Sequence, residues 1–121
     1  AGMLTLPEDQ PRAIVVLVQG AGPHSRDQVI SGAPMFKHLA DSLATHGIAS
    51  VRIDNAGVGA STGERVQHFK QRIPHIRAVL DMIAARPQFA EVPMGIVAHS
   101  EGTLVATEVW AERKEAIDFL V

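Results

Sequence analysis

The chain has no cysteine, so neither a disulfide nor a thiolate metal site can be built from it, and the compartment stays open. It also lacks a basic excess: 11 Lys and Arg stand against 13 Asp and Glu, for a formal net charge of −2. The cations are scattered rather than clustered, so no nucleic-acid partner is expected. No apolar run approaches the length that spans a bilayer, and Ala1-Gly2-Met3-Leu4 has neither a basic head nor a signal-like apolar core. Neither a membrane partner nor a targeting segment is therefore read from the chain, and its localisation is left open. HExxH and comparable ligand spacings are missing, so no metal and no cofactor is expected. Repeats and low-complexity tracts are absent as well.

What remains is an ordinary globular composition. The 121 residues, 46% hydrophobic and 20% charged, suffice for one domain at most, with a modest core. Residues 3–6 alternate weakly and suggest an edge strand. Residues 13–19 differ in kind: a β-branched run without alternation, suited to a central parallel strand covered on both faces. The run ends in Gly20-Ala21-Gly22-Pro23, where the backbone must turn sharply.

A polar loop follows, and Phe36, Leu39, Ala40 and Leu43 then share one face of a helix expected over 34–46, stopped by Gly47. Residues 48–54 read as the next strand, and the turn 55–63 is rich in glycine. Residues 64–86 are helical in character, with a break expected at Pro74 and a second helix starting near Ile73. Pro87 ends that helix. A strand over 94–98, a helix over 101–113 and a last strand over 117–121 complete the chain. Strands alternating with helices predict an α/β fold with a mostly parallel sheet flanked by helices. Ligands in such sheets sit beyond the carboxyl ends of the strands. The loops 20–27 and 55–63 and the turn at Ser100 each follow a strand, so they are expected to converge on one cleft.

The chain is organised around Gly95-Ile96-Val97-Ala98-His99-Ser100-Glu101-Gly102-Thr103-Leu104. An apolar strand stops at a serine between small residues and a helix begins at once. That pattern puts Ser100 at the apex of a strained turn, lifted off the sheet, and makes it the candidate nucleophile. The alternative is a buried strand turning into a helix with an ordinary serine.

Ala98-His99-Ser100-Glu101-Gly102 resembles the nucleophile elbow of the α/β-hydrolases in its AxSxG variant. Gly20-Ala21-Gly22-Pro23-His24-Ser25-Arg26-Asp27 is similar to the GxGPxxRD loop of a bacterial branch related to the serine aminopeptidase-like and acyl esterase group. In that branch a helix, a GI-V-R-x-D strand and a GxGxSxG turn follow in order. Here Gly47-Ile48, Val51-Arg52, Asp54 and Gly57-Val58-Gly59-Ala60-Ser61-Thr62-Gly63 stand at matching places. Ala56 departs from the pattern, since the family often has arginine there.

The resemblance implies acyl transfer: a serine hydrolase acting on carboxylic esters, with amides second, through an acyl-enzyme on Ser100. It further implies an oxyanion hole formed by the backbone N–H groups of Glu101 and Ala21, with Gly22 next in line. The residues that would bind substrate are not assigned. Against the oxyanion role stands the plain reading that these glycines only permit a tight turn. Arg26 either pairs with Asp27 to shape the loop, which is preferred, or contacts a substrate carboxylate. Asp54 is expected to hold the turn that follows it through backbone hydrogen bonds. His99, next to Ser100, should point away from it. His24 lies in a loop near the cleft and either contacts substrate or, as is preferred, is a solvent-facing turn residue; His38, His46, His68 and His75 are read as surface residues.

In this family the acid and the histidine follow the serine along the chain, yet no histidine lies beyond Ser100 and Asp118 falls in the presumed last strand. Residues 1–121 are therefore expected to be the N-terminal portion of a single α/β-hydrolase domain, truncated after the nucleophile helix and the following strand. Alone they should be nearly inactive, and they should pair with another copy or a C-terminal half through the exposed sheet edge. Two other readings are carried forward. One is a non-catalytic assembly piece. The other is a nucleotide-binding domain using Gly20-Ala21-Gly22 as a phosphate loop, although Ser25 occupies the third glycine position of GxGxxG and Pro23 removes a donor.

Overall fold

The computed structural model describes residues 1–121. Its strands are β1 (Gly2–Thr5), β2 (Ala13–Val18), β3 (Val29–Ile30), β4 (Ala33–Pro34), β5 (Ile48–Ile53), β6 (Met94–Ala98) and β7 (Phe119–Leu120). The helices are α1 (Met35–Thr45), α2 (Ile73–Ala84) and α3 (Gly102–Glu112), with short 3-10 turns at Phe69–Arg72 and Pro87–Phe89. Five strands form one sheet in the order β1-β5-β2-β6-β7, and only the edge strand β1 runs antiparallel to its neighbour. The α/β class and the mostly parallel sheet are those expected from the sequence.

β2 lies at the centre because nearly every side chain it carries is apolar, so either face can be covered. Ile14, Val16 and Val18 pack with α2 and α3 residues such as Ile76, Leu80, Val105 and Val109. Val15 and Leu17 face the other way, toward Phe36 and Ala40 of α1. Burying such a side chain fully contributes about 1.5–3 kcal/mol, and no residue from Ile14 to Val18 is more than 2% exposed.

The same two-faced packing sets the place of a site. β2 continues to α1 on one face of the sheet, whereas its neighbour β6 continues to α3 on the other. A crevice opens where adjacent connections part, beyond the carboxyl ends of these two strands.

Two sequence expectations need correction. Residues 64–68 are not helical: the amides of Gln67 and His68 bond to Gln71 Oε1 at 2.7 and 3.0 Å, an arrangement that starts helical structure only at Phe69. The second helix, α2, does start at Ile73 as expected, after the separate 3-10 turn, with Pro74 in its first turn, where a missing N–H costs nothing. The polar loop after β2 contains the two-residue hairpin β3–β4, entered through Gln28 and turned at Ser31, both at positive φ.

Candidate active site

β6 ends at Ala98, the His99 amide still donates to Val18 O at 3.0 Å, and the chain then turns through Ser100 at φ +54°. The left-handed region is costly for a non-glycine residue. It is stabilised here because the Thr103 amide and hydroxyl both donate to Ser100 O, at 2.9 and 2.7 Å, closing the first turn of the helix. Ser100 is exposed. Two residues on, only glycine fits. A β-carbon at Gly102 would lie 2.5 Å from the carbonyl oxygens of both Val18 and Gln19, so α3 begins in direct contact with the end of β2.

The turn after β2 lies against this serine. A β-carbon at Gly20 would stand 3.2 Å from Ser100 Cβ and 3.1 Å from His99 Nδ1. Both peptide groups of Gly20 are held by buried side chains. Its N–H donates to Gln28 Oε1 at 2.7 Å, and its carbonyl accepts from Arg72 Nη1 at 3.2 Å. The amides of Ala21, Gly22 and Glu101 donate to no acceptor within the chain. Beside them is a cavity of about 370 Å³ whose lining includes Ala21, Gly22, Asn55, Val58, Arg72 and Glu101. The three strand-terminal loops thus meet at one place, as their positions in the sequence led us to expect.

Since Gln28 Oε1 accepts from Gly20, its Nε2 is the group 3.1 Å from His99 Nδ1. That nitrogen must accept, which leaves the proton of a neutral His99 on Nε2. The ring is thereby occupied with the β2 turn. His24 flanks the same turn, its Nε2 3.5 Å from where a Gly22 β-carbon would be. His38, His46, His68 and His75 are exposed. Asp118 sits at the opposite end of β6 from Ser100, accepting from the Met94 amide at 2.8 Å. No three His, Asp or Glu side chains converge in a way that would hold a metal ion.

The expected Arg26–Asp27 pair is replaced by a crossed arrangement. Arg26 Nη2 and Nε reach Asp54 at 2.6 and 3.1 Å, while Asp27 pairs with the buried Arg52. Neighbours in sequence splay apart here, and each finds the charge that β5 brings up from below. Asp54 also accepts from the amides of Arg26 and Ala60, at 2.7 and 3.0 Å, and so holds the glycine-rich turn as expected. Gly59, at φ +58°, leaves room for that carboxylate, since a β-carbon there would lie 2.7 Å from it.

Burial alone would push the Asp54 carboxyl up, but the Arg26 side chain, the two amides and the Arg26 charge together hold it at about 2. A folded-state value below the ordinary 3.8 means stability that is fully present above pH 4 or so and is lost as pH falls toward 2, worth about 2 kcal/mol. Urea unfolding at about pH 7 and about pH 3 should show this acid slope, and Asp54→Asn should remove that share of it. An unchanged slope in the variant would show that the carboxylate is not held in this way.

Sequence reasoning missed the buried polar scaffold under the site. Arg72, counted within a helix, has only 4% of its side chain exposed. Burial pushes its guanidinium pKa down, and the Glu101 carboxylate 3.7 Å away opposes this. Gln19 lies fully buried, its amide donating to Ser25 O and Ile53 O. A glutamine closing an otherwise apolar strand was the one signal that could have revealed this layer. The phosphate-loop reading also fails: Gly20-Ala21-Gly22 leads into the β3–β4 hairpin and not directly into a helix, so the strand-loop-helix order of a phosphate loop is missing.

The central sheet, the helices on its two faces and the strand-serine-helix turn make this an α/β-hydrolase fold. A family model described as "Serine aminopeptidase, S33" matches residues 9–121, and the chain belongs to that family. Among solved structures it is similar to Est1E from Butyrivibrio proteoclasticus, a structure with ferulic acid bound, at 20% identity and TM-score 0.79 over 99% of this chain and 46% of that one. A dienelactone hydrolase from Anabaena variabilis matches at 23% identity and TM-score 0.78, covering 98% of this chain and 54% of that one. A thermostable carboxyl esterase from Bacillus coagulans matches at 20% identity and TM-score 0.77, covering 98% and 37%. The chain thus spans about half the length of these structures or less.

Proposed function

We propose that the full-length gene product is a serine hydrolase that cleaves carboxylic esters, with amides second, through an acyl-enzyme on Ser100. One observation carries the reading: an exposed serine at φ +54° stands on a strand-to-helix turn with the Gly20 backbone against its β-carbon. In the first step the Ser100 hydroxyl oxygen bonds to the substrate carbonyl carbon. Its proton passes to a general base, and the carbonyl π pair moves onto the carbonyl oxygen. The amides of Ala21 and Glu101, with Gly22 beside them, are the donors available to that oxygen, and the N-terminal end of α3 adds a favourable dipole. Collapse of this intermediate breaks the bond to the alcohol, which leaves with the proton returned by the base. Water, losing a proton to the same base, then attacks the acyl carbon. Cleavage of the ester bond to Ser100 releases the acid and returns that proton to the serine.

No histidine follows Ser100 in the chain, so residues 1–121 alone should be nearly inactive, a serine without a base being a weak nucleophile. The edge strand β7, with Leu120 and Val121 exposed, is the surface proposed to pair with another strand, either a second copy or further polypeptide. Size-exclusion chromatography with light scattering distinguishes the two.

The direct test is labelling of the full-length protein with a fluorophosphonate, followed by peptide mapping. Modification at Ser100, prevented by prior incubation with an ester substrate, is the expected result. A folded protein that stays unlabelled rules out this chemistry.

A further inference from the structure

A charged group buried under a catalytic turn is costly, and a hydrophobe of similar volume is often as stable or more so. Arg72 is such a group. Its Nε has no hydrogen-bond partner, yet Nη2 donates to Gln19 O at 2.6 Å and Nη1 to Gly20 O at 3.2 Å. Those two carbonyls belong to consecutive peptide units at the end of β2. The second unit also contains the Ala21 amide. Carbonyl and N–H point in opposite directions in a trans peptide, so fixing Gly20 O on Arg72 turns the Ala21 N–H away from it, and that N–H has no acceptor within the chain. Gln28 holds the preceding N–H, that of Gly20. The turn is therefore clamped at both peptide groups of Gly20. The same guanidinium lies 3.7 Å from the carboxylate of Glu101, the residue that carries the other available donor.

We propose that Arg72 is a positioning residue for acyl transfer at Ser100: it fixes the peptide plane between Gly20 and Ala21, and through Glu101 the start of α3, so that the two donors face the same oxygen. The proposal rests on the hydrolase reading above. Arg72 touches no reacting atom in this scheme. Its effect should therefore fall on the transition state, where the oxygen is charged, rather than on substrate binding.

The test uses the full-length protein with an activated ester, comparing Arg72→Met and Arg72→Lys and counting active sites by fluorophosphonate titration. For Arg72→Met, kcat per titrated site is expected to fall about 10- to 100-fold, less than for outright loss of a donor, with KM moving by less than about threefold. Affinity for a boronic acid that forms a charged adduct on the serine should fall in the same proportion. Arg72→Lys, which keeps the charge but not the two-carbonyl fork, should lie between.

A purely structural role would lower the melting temperature and the fraction of titratable sites, leaving kcat per site intact, and that outcome overturns the proposal. If neither variant folds, the unmutated protein decides. A crystal structure of its boronate adduct should show the Ala21 amide on a boronate oxygen while Gly20 O remains on Arg72. A rotated peptide, with Gly20 O released, overturns the proposal too. Failure of the unmutated protein to label at Ser100 overturns the hydrolase reading and this inference together, whereas normal labelling with unchanged kcat in the variants overturns this inference alone.

Discussion

Gly102→Ala is expected to destabilise the fold by about 3 kcal/mol, at the upper end of what overpacking costs. The new methyl group would sit 2.5 Å from two backbone oxygens, Val18 O and Gln19 O. Neither oxygen is free to retreat. Val18 O accepts from the His99 amide at 3.0 Å, and Gln19 O accepts from Arg72 Nη2 at 2.6 Å. Relief has to come from moving α3 away from β2, which pulls at Val105 and Val109 in the core and shifts Ser100 relative to Gly20. Urea unfolding measures the first effect, and the rate of fluorophosphonate labelling in the full-length protein the second.

Gly95→Ala makes a useful contrast, because the obstacle there is the ring of Phe119 on the edge strand β7. A side chain can rotate where a backbone cannot, so this second variant should be the milder of the two. Equal stabilities for Gly102→Ala and the unmutated chain would mean that the strand and helix are not in contact at this turn.

The same contrast between backbone and side chain separates what the sequence made legible from what it did not. β2 and β6 were found within a residue because a short apolar run bounded by glycine or proline has few other solutions. α1 was found because Phe36 and Ala40 recur at helical spacing. Ser100 and Gly102 were legible together, since a serine at a strand-helix junction with glycine two positions on is a local steric requirement.

Long-range polar pairing was not legible. Arg26 and Asp27 look like a pair in the sequence, but their partners, Asp54 and Arg52, lie on or just after β5 and come into reach only through the parallel pairing of β5 with β2. Arg72 read as one more polar residue of a helix, and its burial depends on how the 3-10 turn before α2 lies across the end of β2. The β3–β4 hairpin was missed for a different reason. Each of its strands has two residues, and non-glycine residues stand at positive φ, Gln28 before the hairpin and Ser31 beside Gly32 in its turn, against the usual preference.

Ser100 itself should show activity lost with no loss of stability. Replacement by alanine is expected to lower kcat/KM of the full-length protein by at least about 10⁴-fold, as the loss of an attacking group does in serine hydrolases. Stability should hardly change, because alanine keeps the strained backbone and the hydroxyl is exposed. Glycine at the same position should be just as inactive yet more stable, by about 1 kcal/mol. It removes a left-handed strain of about 1–2 kcal/mol, part of which is offset by the greater freedom of glycine in the unfolded chain.

The pair of variants separates two explanations that activity alone cannot. An ordinary surface serine in a turn would be replaced by either residue with little loss of activity. A serine held at φ +54° for its chemistry gives two dead enzymes, of which only the glycine variant is the more stable. Chemical denaturation of both variants beside the unmutated protein reads the difference. If Ser100→Gly proves less stable than Ser100→Ala, the backbone at this turn carries no strain for glycine to relieve.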